Sequence, residues 1–260
     1  MDHRTDGQTE DDFATVASIG LLAYASADIA HHVIGHGGAC LALGGHIKSL
    51  SSIFVDCTVL RFSFGLAGPA ANLAVGLIAL AAVRWARTAS SALRLFLVLA
   101  AGFNLLWFFL QLLFSAATRT DDFTWAMRAY HADAAVQYGM IAIGGLGYLF
   151  SIYIVAKPIA GFADLRERLR RIVLIAWSTG GTFACVTALF GHNPLTAILR
   201  HAAPQSFGLS IGLLFVPRFA IAPASDAGRP PIGKSVPWTL AAFVVAALSI
   251  VFLGPGVAIP

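Results

Sequence analysis

The sequence predicts an all-α integral membrane protein of six to seven transmembrane helices, with a short β hairpin after the first. Three observations carry this expectation. Of 260 residues, 58% are hydrophobic and only 12% charged, where a soluble domain is about a quarter charged. Mean hydropathy is +0.77. Several apolar runs reach the roughly 18–20 residues that a helix needs to cross hydrocarbon. In lipid such runs mean a helical bundle, because a helix satisfies its own backbone hydrogen bonds.

Residues 1–12 are polar and acidic and read as a short disordered tail, not a signal peptide. The first apolar stretch runs from Phe13 to about Gly45 and carries Asp28, His31, His32 and His36. Residues 46–63 mix β-branched and polar positions without helical period, the mark of a hairpin. Phe64–Val83 and Leu95–Ala117 are the next two spans, followed by the polar loop TRTDDFTWAMRAYHADAA. Residues 13–125 form one core unit, and 126–260 add further helices. These are Tyr138–Ala156, Ile172–Phe190 after the basic DLRERLRR, a short run Phe207–Ile221 interrupted by Pro217 and Arg218, and Pro237–Leu253. Residues 222–235 are rich in Pro, Gly and Ala and read as a linker.

The interrupted run decides between six and seven spans. If all seven cross, twelve of the 17 Lys and Arg lie on the side of the N-terminus and five on the other. The positive-inside rule then places the N-terminus in the cytoplasm of an inner or plasma membrane. The net charge of +4 belongs to these loops and gives no basic patch for nucleic acid. The expected partner is the lipid bilayer, together with a transmembrane protein substrate or binding partner. A retinal Schiff base needs a buried lysine, and Lys48, Lys157 and Lys234 all fall at borders or loops. Cys40, Cys57 and Cys185 have no zinc-finger or redox spacing and read as small core residues.

The run DIAHHVIGH (28–36) is the chemical signal. Ionisable groups within a span are costly and mark function by default. At about 100° per residue, Asp28, His32 and His36 share one stripe of an α-helix. Two histidines at i and i+4 can face one metal ion. His31 lies off that stripe and reads as a packing residue. Catalytic zinc takes three protein ligands and a water, so a third ligand comes from elsewhere. Asp121 and Asp122, just after the third span, are the candidates. Asp28 is either a ligand or a carboxylate holding the outer nitrogen of His32.

Three segments resemble the site-2 protease family of intramembrane zinc metallopeptidases. HVIGHGGACLALGGHI (32–47) is similar to that family's H-E-x-G-H and the small residues after it. AGPAANLAVGLIAL (67–80) resembles its G-P-x-x-N helix, and FNLLWFFLQLLFSAATRTDDF (103–123) its third core helix and ligand turn. The resemblance implies zinc bound by His32, His36 and Asp122, with Asp121 the competitor, and Asn104 near the scissile bond of a substrate. It also shows two departures. Val33 stands where the family keeps its general-base glutamate, and the Leu-Asp-Gly turn is absent around Asp122. Asp28 or His31 is then the candidate substitute base. The resulting expectation is a membrane-embedded zinc-binding relative of site-2 proteases, non-proteolytic for want of the glutamate. The alternatives are an active peptidase using another base, or a metal or small-solute transporter.

Overall fold

The computed structural model describes residues 10–59, 61–163, 165–221 and 230–259. It is an all-α membrane protein with one small sheet. Six helices are long and apolar enough to cross a membrane: α1 Phe13–Ala42, α2 Phe62–Trp85, α3 Ser91–Thr118, α5 Ala134–Ile159, α6 Arg166–Ala188 and α8 Val236–Leu253. Between α3 and α5 lies the short α4, Phe123–Ala129. Residues 194–219 form α7, a succession of short α, π and 3-10 turns.

Capping residues fix several helix starts. The Asp12 carboxylate accepts from Thr15 N at 2.8 Å, and Asp133 accepts from Val136 N at 2.9 Å, each satisfying a donor that a helix N-terminus leaves open. Asp11 receives two hydrogen bonds from Arg168, at 2.8 and 2.7 Å, and one from Ile232 N at 2.8 Å. Residues 10–12 and 230–235 are therefore held in place, which corrects the expected tail and linker at those positions. The rest of both segments, 1–9 and 222–229, lies outside the described residues.

Helix α3 is the centre of the bundle. Leu95, Leu99, Phe103, Leu106 and Trp107 are all buried. Tyr24 of α1 packs between Phe103, Trp107 and Phe183, with centroids at 5.7, 6.0 and 6.2 Å. The pairing of α1 with α2 depends on two glycines. A Cβ on Gly35 would come within 2.5 Å of the Gly68 Cα, so the two backbones touch, as small residues allow in membranes. Large apolar side chains such as Leu146, Leu149 and Phe243 remain exposed on α5 and α8, as expected of a surface that faces lipid.

The hairpin is present and is part of a larger sheet. Strands β1 Ile47–Leu50 and β2 Val55–Cys57 are antiparallel, and the C-terminal β3 Val257–Ile259 adds to the other edge of β1, giving the order β2-β1-β3. Cys40, in the last turn of α1, and Cys57 of β2 form a disulfide. This corrects the reading of both as reduced core residues. Cys185 remains a free thiol.

The two ends of the bundle are well separated in composition. One end holds Asp11, Arg168 and Ile232; the other holds the sheet, where Ser52 N donates to Leu253 O at 3.1 Å. Helix α7 runs from the sheet end to the Asp11 end. Trp177 of α6 donates to Phe207 O at 3.3 Å, Gly212 N donates to Tyr148 of α5 at 2.7 Å, and Leu213 packs on Gly102 of α3. The interrupted run thus passes along the whole bundle, as a broken helix that begins 13 residues before the apolar stretch does.

Candidate metal centre

The middle of α1 is not α-helical. Residues Ile29–Gly37 form a π-helix, whose backbone bonds run from i to i+5 and whose turn is wider than that of an α-helix. An i, i+5 pair that an α-helix splays apart is drawn together by that geometry. His31 and His36 are such a pair. Their Nε2 atoms lie 3.2 Å apart, and each faces Asp122 Oδ2, at 3.0 Å from His31 and 3.2 Å from His36. Among the described residues this is the one group of three or more His, Cys, Asp or Glu side chains converging closely enough to hold a metal ion.

The hydrogen bonds behind the rings assign their tautomers. His36 Nδ1 donates to Phe64 O at 2.8 Å, and His31 Nδ1 donates to Asn72 Oδ1 at 2.6 Å. The orientation of Asn72 is itself fixed, since its Nδ2 donates to Ala27 O and to Asn104 Oδ1, both at 3.0 Å. With each Nδ1 carrying the proton, each Nε2 presents a lone pair. Two lone pairs and a carboxylate oxygen therefore point at one another in a buried place. That arrangement requires a cation, either a proton shared with Asp122 or a metal ion bound by all three. In the proton-sharing state, burial pushes the Asp122 carboxyl up, but hydrogen bonds and charge from protonated imidazoles outweigh it and hold the group well below the usual carboxylate range. Asp121 is pushed the other way, by burial and by the charge of Asp122.

The dimensions suit a metal. Ligand atoms about 2.0–2.1 Å from a tetrahedral zinc lie roughly 3.3 Å from one another, close to the 3.0–3.2 Å edges of this triangle. The space in front of the nitrogens exists because residue 68 is glycine. A Cβ there would come within 2.8 Å of His31 Nε2 and would overlap His36 Nε2. Trp107 stacks on the His31 ring at 5.0 Å and Phe64 packs on His36 at 5.0 Å, so the site has apolar walls. Gln111 of α3 donates to both Asp121 and Asp122, at 3.1 and 2.8 Å, and positions the turn that carries them.

The residues singled out in the sequence divide into two layers. His36 and Asp122 belong to the triangle. His31 takes the place expected for His32, because π geometry replaces the α stripe. His32 instead lies beside the triangle, its ring 4.8 Å from His31 and 6.3 Å from His36, and its Nδ1 bonds Asp28 Oδ1 at 3.0 Å. That bond is the supporting role foreseen as one option for Asp28. Asp121 accepts from Gln111 and stands outside the triangle. Asn104, expected beside a substrate bond, is fully buried, with its amide engaged by Asn72 and by Ala100 O at 2.8 Å. It acts on the centre through Asn72 and His31. Sequence reasoning passed over Asn72, Gln111 and Gly68 as contributors to the site. The signal for His31 was the spacing in HHVIGH, which equals the i, i+5 span of a π turn.

The arrangement can hold one metal ion by two imidazoles and a carboxylate. Comparison of the chain with protein-family models, with curated proteins and with solved structures finds no match.

Proposed function

We propose that this chain is a membrane-embedded zinc protein of the site-2 protease type, with His31, His36 and Asp122 as ligands and a fourth position for water or substrate. The observation that carries this reading is the triangle of lone pairs, 3.0–3.2 Å on each edge. Two imidazoles and one carboxylate suit zinc, and three protein ligands are the pattern of catalytic sites. In H-E-x-x-H three residues separate the ligands; here four separate His31 from His36, and the π turn absorbs the extra one. Metal analysis of the purified protein is expected to give about one zinc per chain, lost in His31→Ala, His36→Ala and Asp122→Ala. Gly68→Ala removes it without deleting a ligand, and Asn72→Ala weakens it by roughly 10- to 100-fold. Full zinc content in His31→Ala with loss in His32→Ala would overturn this ligand set.

A second reading, active hydrolysis of a peptide bond in a membrane protein, is favoured by His32. With His31 as first ligand, His32 and not Val33 follows it, in the position of the missing glutamate. Asp28 accepts the Nδ1 proton of His32, which leaves Nε2 as a proton acceptor beside the triangle. When bound, zinc supplies Lewis acidity, polarising a carbonyl and acidifying a water. His32 then receives the proton, Asp28 holds its tautomer, and Trp107 and Phe64 exclude bulk water. Cleavage of a model transmembrane peptide is expected to fall by about 10²–10⁴ in His32→Gln with zinc retained. An unchanged rate in that variant rules this role out.

We also infer the orientation. The end of the bundle that bears the sheet carries five of the 17 Lys and Arg and the Cys40–Cys57 disulfide. Fewer positive charges and a persistent disulfide both belong to the non-cytoplasmic side. Asp122, just beyond the end of α3, opens to that same side. A membrane-impermeant maleimide is expected to label Thr120→Cys in intact cells and Arg170→Cys only after lysis. The reverse pattern contradicts the orientation.

A further inference from the structure

The turn that carries Asp122 also builds a second site. A cleft of about 360 Å³ opens beside α4, lined by Arg119, Thr124, Met127, Arg128, His131 and Ala132. Three of the six are basic or can become so, and none is acidic. Two of the five Lys and Arg at this end of the bundle therefore face one small space. Arg119 is fixed: its Nη2 donates to Gln137 Oε1 at 2.7 Å, and Gln137 in turn donates to Ala116 O at 2.7 Å. Arg119 and His131 both adopt left-handed backbone, at φ 56° and 49°, which is uncommon for such residues and sets the two edges of the cleft. Among the described residues Arg128 pairs with no carboxylate. Trp125 and Tyr130, in α4 and at its C-terminal end, are 42% and 68% exposed. Amphipathic rings of this kind mark the headgroup level of a bilayer.

We propose that this cleft binds a phosphate group, that of a phospholipid headgroup. Arginine forks match phosphate oxygens with paired, charge-assisted hydrogen bonds. The Met127 side chain and the exposed rings offer the apolar surface that the glycerol backbone and first methylenes need. The site stands independently of the zinc reading.

Native mass spectrometry of the full chain in mild detergent tests this, with phosphatidylglycerol, a diacylglycerol of the same chain length and inorganic phosphate as separate probes. One phosphatidylglycerol is expected to be retained and diacylglycerol not. Arg128→Gln weakens retention roughly fivefold, and the double change with Arg119→Gln does so by roughly twenty-five-fold, from the usual worth of one exposed charge pair. Arg128 is exposed, so its single variant tests the site even if loss of the Arg119–Gln137 bond disturbs folding. Displacement of the lipid by an equal concentration of inorganic phosphate keeps the phosphate site and makes free phosphate its ligand. Equal retention of phosphatidylglycerol and diacylglycerol, or of phosphatidylglycerol by wild type and Arg128→Gln, overturns the proposal. Zinc content is unchanged in both arginine variants, so failure here is distinct from failure of the metal reading.

Discussion

Three electron-rich atoms, two imidazole nitrogens and one carboxylate oxygen, converge within 3.2 Å of one another at the buried meeting point of α1, α2 and the turn after α3. Like partial charges at that distance, in apolar surroundings, repel strongly. The arrangement calls for positive charge between these atoms, either a proton shared with Asp122 or a metal ion that the three could hold. Both outer ring nitrogens are already committed, to Phe64 O and to Asn72, so neither ring can relieve the repulsion by exchanging its tautomer without losing a buried hydrogen bond.

The rest of the core serves that convergence. Gly35 and Gly68 let α1 and α2 touch, and Gly68 leaves the nitrogens uncovered. The chain His31–Asn72–Asn104 links α1, α2 and α3 by buried polar contacts, which are costly in lipid unless each partner is satisfied. Gln111 carries the linkage to the turn. The disulfide ties the end of α1, one turn beyond His36, to the sheet, and β3 brings the C-terminus to the same place. A site formed from two helices and a turn is thus braced on its outer side by covalent and β-sheet contacts.

The bundle was legible in the sequence because bilayer thickness sets run length directly, and six runs meet it. The hairpin was legible from its loss of helical period. β3 was not, since a strand of three residues after Gly-Pro-Gly has no pattern of its own and exists only through pairing with β1. The cysteine pairing was hidden for a related reason: Cys40 and Cys57 meet only when the hairpin folds back over the end of α1. At the site, residue types and location were readable from the cost of polar groups in a span. Which histidines converge was not, because the α-helical stripe selects His32 with His36, whereas the local π turn selects His31 with His36. Asp121 and Asp122 are adjacent, and their separation rests on backbone: Asp121 takes a left-handed φ of 71° and turns toward Gln111, leaving Asp122 to face the rings.

The central claim, a single cation bound by this particular triangle, is tested most directly by zinc K-edge X-ray absorption on the purified protein. The expected zinc environment is two imidazole nitrogens at about 2.0–2.1 Å with oxygen donors completing it and no sulfur, and this signal is lost in His31→Ala. A spectrum with a zinc–sulfur distance near 2.3 Å, or one identical in wild type and His31→Ala, would contradict it.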